Sequence, residues 1–429
     1  MPRRQRWTPV KGTGNRVYDP RERWLLRAVD LGGRLAFASG RRARSARDPA
    51  APPLEVREVL VLRLDRIGDV LMSLPALADL RAAFPRARIR LAVGRWSEPI
   101  ARSAPVDEVL VWSAPWAARG GEQRDGVRDL VRRARRLRAD GIDLALDLQG
   151  DLRATFLMAL TGARRRVGYA NTGGAYLLTD VVALDETVSW MDQNRAAVAL
   201  AVAGASGAGT ASPAAHAADP PAEGPLTTAD RDRALRLFEG LGLKGRRPLV
   251  GVHPSGGRAV KQWEAARWGE LAARLEREFG ATILITGATA DGPLAEAVGR
   301  NLRAKPVDLT GRLDVRETMA VIAALDLFLS PDTGTMHMAC AVGTPSVTVF
   351  GPSDPARYFS GRGPRHVVVR ADLWCAPCNL IRKPPAECAG PEPPECLRLV
   401  TVEEVHLQAA RLLREVGGYG PVAAVATAP

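Results

Sequence analysis

The sequence predicts an α/β protein made of two halves, each built on a parallel sheet. Three observations carry that expectation. Short apolar runs alternate with stretches of helical periodicity, which is the grammar of βαβ units. The same grammar occurs twice along the chain. Between the two occurrences, residues 204–225 are rich in Gly, Ala, Ser and Pro and keep no periodicity, as a linker does. A length of 429 residues also exceeds one typical domain.

The elements follow in order. Trp24, Leu25, Ala28, Leu31, Leu35 and Ala38 fall at helical spacing with arginines on much of the other face, so a basic amphipathic helix is expected over 19–39. It either lies on an anionic leaflet or docks on the protein's own surface. In the first half, strands are expected at 59–64, 89–93, 109–112 and 143–148, with a charged helix over 121–140. In the second half, strands are expected at 248–253, 282–286, 307–309, 325–330 and 346–350. Helices are expected at 228–241, 268–279, 292–302, 315–324 and 335–342. The resulting organisation is an arm and linker (1–53), a first domain (54–203), a linker (204–226), a second domain (227–415) with a Cys-rich segment (375–396), and a tail (416–429).

Composition narrows the function classes. Hydrophobic residues at 46% and charged residues at 25% exclude a mostly disordered chain, and five cysteines exclude a small disulfide scaffold. The net charge is +13, but residues 1–47 hold 13 basic and three acidic side chains, so the body carries only +3. With 5% aromatic residues, that body lacks the basic and aromatic surface of a nucleic-acid binder. No apolar run is long enough for a membrane-spanning helix, and the low, odd cysteine count suits a reducing cytoplasm.

Three motifs follow expected strands, where open α/β sheets place ligands. The first is Arg63-Leu64-Asp65-Arg66-Ile67-Gly68-Asp69. Gly68 suits a tight turn, and Asp69 then stands at a helix start, either as a cap or as a carboxylate able to take a proton from an attacking hydroxyl. The second is His253-Pro254-Ser255-Gly256-Gly257, followed by Lys261-Gln262-Trp263. Its backbone N–H groups and its lysine suit phosphate oxygens, although the spacing is not that of a Walker loop. The third is Asp332-Thr333-Gly334-Thr335-Met336-His337, whose donors at a helix start suit a diphosphate. His337 sits one turn further in and is read either as a ligand contact or as a structural histidine.

Together these motifs, with DLALDLQGDLRA at 143–154 and the downstream RRRVGYA, resemble glycosyltransferase family 9, the heptosyltransferase-like family. The resemblance runs from about Val59 to Val405. It implies a GT-B fold, with two Rossmann-like domains facing across a cleft. It implies an inverting, metal-independent glycosyltransferase with a nucleotide-sugar donor, often ADP-heptose, and a lipopolysaccharide or other surface-glycan acceptor. Carried onto this chain, it makes Asp69 the catalytic base. It assigns the donor to Ser255, Gly256, Lys261, Asp332, Thr333, Gly334, Thr335 and His337, and places 287–291 near the nucleoside. The acceptor falls to Arg66, Gly68, Asp147, Gln149 and Arg153, and the run Arg164-Arg165-Arg166 is read as a phosphate contact or a solvated face. No cofactor is required for the reaction. Cys375, Cys378, Cys388 and Cys396 are read as a structural zinc site, a disulfide pair or free thiols. The expected location is cytoplasmic, peripheral on the inner face of the membrane through the arm, with no nucleic-acid partner. The rival readings are a non-hydrolysing nucleotide-sugar epimerase and a membrane-binding protein without catalysis.

Overall fold

The structure is a computed structural model that describes residues 20–36, 54–119, 121–206, 225–381, 384–390 and 392–420. Most of the basic arm, most of the 204–226 linker and the end of the tail therefore lie outside the described residues. The chain divides into two compact units, one within Val10–Pro221 and one within Ala222–Pro429.

The first unit contains α1 (Pro20–Ala36), β1 (Glu58–Arg63), α2 (Ile67–Leu71), α3 (Leu74–Ala83), β2 (Arg88–Val93), α4 (Glu98–Ala101), β3 (Glu108–Val111), α5 (Val127–Arg136), β4 (Leu144–Asp147), α6 (Leu152–Leu160), β5 (Arg165–Gly168), β6 (Asp180–Val181) and α7 (Trp190–Ser206). Its six strands form one sheet in the order β3-β2-β1-β4-β5-β6, and every pairing is parallel. β1 is fully buried after its first residue because both faces of this central strand are covered, which is why it reads as an unbroken apolar run.

The second unit contains α8 (Thr228–Gly240), β7 (Leu249–Val252), α9 (Ala265–Phe279), β8 (Thr282–Ile285), α10 (Gly292–Gly299), β9 (Val307–Asp308), α11 (Val315–Ala323), β10 (Leu327–Pro331), α12 (Gly334–Val342), β11 (Ser346–Phe350), α13 (Pro355–Tyr358), β12 (His366–Arg370), α14 (Glu395–Arg398) and α15 (Val402–Glu415). Its sheet is again six-stranded and parallel, in the order β12-β11-β10-β7-β8-β9. α9 and α15 cover one face, with Trp263 and Trp268 meeting edge to face at 4.7 Å inside the core.

Three strands escaped the periodicity reading. β5 hides in Arg164-Arg165-Arg166, which alternates as a strand does. Arg164 is exposed, whereas Arg165 turns inward to a bidentate pair with Asp180 (2.9 Å twice) and to the carbonyl of Ala201. Arg164 alone of the three fits a solvated face, and Arg165 is committed to holding β5 to β6 and α7. β6 and β12 are short edge strands whose sequence carries little signal. The charged helix expected over 121–140 is shorter, because Gly126 supplies an extended N-cap and the last four residues tighten to a 3₁₀ turn.

Candidate functional site

In each sheet the strand order reverses once, between β1 and β4 in the first unit and between β7 and β10 in the second. Ligands of open α/β sheets bind beyond the carboxyl ends of the strands at such a point. All three motifs found in the sequence stand there.

In the second unit, the loop after β7 carries Ser255 and Gly256, and a 3₁₀ turn, Ala259–Lys261, brings the lysine back over the strand end. Gly256 is required by close approach: a side chain there would meet the Lys261 and Gln262 backbone at 2.7 Å. From the neighbouring β10, Asp332 reaches the same place. Lys261 Nζ lies 2.6 Å from Asp332 Oδ2, and both side chains are largely shielded from water. A pair this short and this buried orients the amine rather than leaving it to wander in solvent. Thr333 then caps α12 with an extended backbone, but its side chain makes no capping bond. Its Oγ1 lies 2.7 Å from Thr335 Oγ1 instead. The first N–H groups of α12 and the helix dipole thus meet Lys261 in one anion-binding corner. His337 is buried one turn in, with Nδ1 2.8 Å from Ser360 Oγ. Ser360 was not visible as a partner from sequence, because it arrives from after α13. The loop after β8 is closed by Asp291, which accepts from Ala288 N–H at 2.8 Å. Cys340 on α12 is an inert thiol, pushed up to about 12 by burial.

In the first unit, Asp69 is the third residue of α2 and not its N-cap. Its carboxylate accepts from Arg66 N–H at 3.2 Å and so satisfies a backbone donor at the helix start. Gly68 is a second correction: it is buried within α2 and is not a left-handed turn residue. The sequence places Arg63 at the head of the first motif but gives it no role of its own. Only 2% exposed at the end of β1, it donates from Nε to the Asp69 carbonyl (3.2 Å), from Nη1 to the Leu148 carbonyl, and sits 3.4 Å from Asp69 Oδ1 through Nη2. The available signal was a charge closing an apolar strand. A buried arginine is held there only because carboxylates and carbonyls surround it.

Arg66 forks onto Glu122 at 2.7 and 2.9 Å and lies 5.0 Å over the Trp96 ring. The guanidinium hydrogen bonds hold the Glu122 carboxyl below its usual range. Arg153 is arranged the same way, bidentate to Asp151 and 5.0 Å over Trp116. Both arginines are therefore paired and stacked, and Trp96, Trp116 and Glu122 belong to the corner although the sequence did not single them out. Gln149 follows β4 and is half-buried.

Asp147, assigned to the acceptor from the sequence, is the last residue of β4 and turns away from solvent. It is fully buried and accepts from Thr155 Oγ1 (2.7 Å), Gln149 N–H (3.0 Å) and Gly150 N–H (3.2 Å). It shapes the loop that carries Gln149 and Arg153. Burial outweighs those donors and raises its carboxyl to about 6. An aspartate in the unfolded chain titrates near 3.8, so between about 4 and 6 the folded state holds a proton that the unfolded state has released. The contribution of Asp147 to stability thus falls as pH rises through that window, by about 3 kcal/mol, and is level above it. His253 and His366, both pushed down to about 4 by desolvation, tilt the opposite way. Subtracting the wild-type pH profile of melting temperature from that of Asp147→Asn isolates the aspartate. The variant should gain relative stability from pH 4 to 6, and a pH-independent difference would contradict the assignment.

Among the described residues no three His, Cys, Asp or Glu side chains gather as a ligand set, and the cysteines are free thiols. Burial, reinforced by the charges of the neighbouring cysteines, raises Cys378 and Cys388 and pushes Cys396 up to about 12.

Two parallel α/β units, each with its motifs at the switch point and one with an anion corner built from a lysine and a helix start, define a two-domain enzyme of the group-transfer kind. Residues 130–387 match the family described as Glycosyltransferase family 9 (heptosyltransferase). The chain is 26% identical over 306 residues to lipooligosaccharide heptosyltransferase 2 of Haemophilus influenzae, covering 69% of this chain and 84% of that one. It is 27% identical over 336 residues to lipopolysaccharide heptosyltransferase 1 of Pseudomonas aeruginosa, covering 75% and 85%. Among solved structures, it resembles the family 9 glycosyl transferase of Veillonella parvula, with a TM-score of 0.69, 20% identity, and coverage of 85% of this chain and 99% of that one. It also resembles the ADP-heptose lps heptosyltransferase II of Escherichia coli, with a TM-score of 0.64, 20% identity, and coverage of 84% and 99%. The chain belongs to glycosyltransferase family 9. It is a glycosyltransferase with the two-domain α/β fold of the GT-B class, and family membership sets aside both the epimerase and the non-catalytic reading.

Proposed function

We propose that this glycosyltransferase moves a heptosyl group from ADP-heptose to a lipopolysaccharide or related surface-glycan acceptor at the inner face of the membrane. The observation that carries the reading is the Lys261–Asp332 pair set beside the N-terminus of α12, a corner suited to a nucleoside diphosphate. Relatives bearing heptosyltransferase names along most of the chain support the choice of sugar and acceptor.

In this reading the acceptor hydroxyl gives its proton to the Asp69 carboxylate as its oxygen bonds to the anomeric carbon. The bond from that carbon to the diphosphate oxygen breaks on the opposite face, and the nucleoside diphosphate leaves with the electron pair, so the configuration inverts. Negative charge grows on the diphosphate, and Lys261, Thr333, Gly334 and Thr335 neutralise it by amine, hydroxyl and backbone N–H, which leaves no step that requires a metal ion. Ser255 and Gly256 line the phosphates, with His337 behind them. Arg63 holds Asp69 in place, and Arg66, Gly68, Gln149 and Arg153 form the acceptor corner.

A thermal-shift comparison of ADP-heptose with UDP-, GDP- and dTDP-sugars tests the donor. ADP-heptose should raise the melting temperature as a ligand stabilising the fold by about 2.7 kcal/mol at a hundredfold excess over Kd. A shift with another nucleotide and none with ADP-heptose would remove the donor assignment.

A further inference from the structure

α1 turns opposite sides toward the protein and away from it. At about 100° per residue, Leu26, Asp30 and Gly33 share one side. Leu26 is 7% exposed and packs with Leu152 and Leu177. Asp30 accepts from Gly174 N–H at 2.7 Å. Gly33 admits the Tyr176 ring where a side chain would collide with it, and Gly173, at φ +108, admits Asp30. Two glycines, a backbone N–H donating to the Asp30 carboxylate and a leucine thus seat the helix in one orientation on the 171–177 loop and α6.

The other side carries Trp24, Ala28, Leu31 and Leu35, within about 60° of one another. Trp24 is 72% exposed, Leu31 59% and Leu35 71%. An aligned apolar stripe of this kind on a docked helix is not the scattered exposure of an ordinary surface. Arg27 and Arg34 flank it. The rest of the face agrees. The order of the sheet reverses at β1/β4, so the right-handed crossovers from β3 onward put α5 and α6 on one face of it. α1 packs on α6, α6 exposes Phe156, and α5 packs beside it with Arg128, Arg132, Arg135 and Arg136 exposed. The sequence that contains α1 carries +10 over residues 1–47.

We infer that this face of the first unit is a membrane-docking surface: the Trp24–Leu35 stripe enters the interfacial layer of an anionic leaflet, and the arginines of α1 and α5 meet its headgroups. The inner side of α1 packs on Leu152, the residue between Asp151 and Arg153, so docking holds the acceptor corner next to the leaflet from which a lipid-linked acceptor is drawn. That consequence rests on the proposed acceptor class, whereas the docking itself does not.

The test is co-sedimentation of the full chain with phosphatidylcholine vesicles, with and without phosphatidylglycerol. The wild type should pellet with the anionic vesicles, and the Leu31→Glu/Leu35→Glu variant should lose about tenfold or more in partitioning. Its melting temperature and its turnover on a lipid-free saccharide acceptor should be unchanged. A Leu235→Glu/Leu407→Glu control, which removes exposed leucines elsewhere, should bind as the wild type does. Equal pelleting of the stripe variant, equal loss in the control, or equal wild-type binding to neutral vesicles would overturn the inference. So would a wild-type dimer in sedimentation velocity that the stripe variant abolishes without any vesicle binding, since the stripe would then face a second copy. Loss of turnover in every form with vesicle binding intact would count against the proposed acceptor and not against the surface.

Discussion

Asp69→Asn is expected to bind the donor normally and to lose turnover by about 10²–10⁴-fold, the size of a general-base contribution. Asparagine keeps a carbonyl oxygen able to accept from Arg66 N–H, so that bond at the start of α2 survives. Arg63 retains Asp65 as a partner at 3.2 Å, so the buried guanidinium is not stranded. The substitution therefore removes basicity at one atom with little change in packing, and the melting temperature should barely move. Donor affinity by calorimetry alongside single-turnover rates checks it. Turnover within a few-fold of wild type would eliminate Asp69 as the base.

Lys261→Ala is expected to lower kcat by about 10²–10³-fold, as removal of one preorganised positive group from a developing anion does. A second effect follows from the pairing with Asp332. That carboxylate is nearly buried, and without the amine it would remain as an uncompensated charge beside the donor phosphates. Lys261→Ala should therefore also lower stability and weaken donor binding. Adding Asp332→Asn should recover stability and part of the donor affinity, but not turnover. The melting temperature, donor Kd and kcat of the single and double variants separate the two effects. Wild-type kcat in Lys261→Ala would take the lysine out of the site.

Much of the fold was legible in the sequence because its signals are local. Central strands such as β1 and β10 are covered on both faces, so they read as continuous apolar runs wherever they stand. The three motifs lay where strand gave way to helix, and that transition is itself local. The edge and disguised strands were not legible for the converse reason. Nothing near Arg165 in the sequence tells that its guanidinium meets Asp180 and the carbonyls of α7, and without them a run of arginines reads as surface.

The candidate site divides in the same way. Residue types and their order, a carboxylate after β1, a lysine after β7 and hydroxyls at the start of α12, follow from turn chemistry and helix-start chemistry within a few residues. Their partners do not. Lys261 with Asp332, Arg66 with Glu122 and Trp96, and Asp69 with Arg63 are pairs, several of them long-range, settled by which strand ends become neighbours. The burial of Asp147 also depends on what the rest of the chain covers. α1 shows the division most simply. Helical periodicity establishes that the segment has an apolar stripe, since that needs only spacing along one helix. Which side faces out is settled by Leu26, Asp30 and Gly33 finding Leu152, Gly174 and Tyr176, because a helix buries the side for which a complementary surface exists.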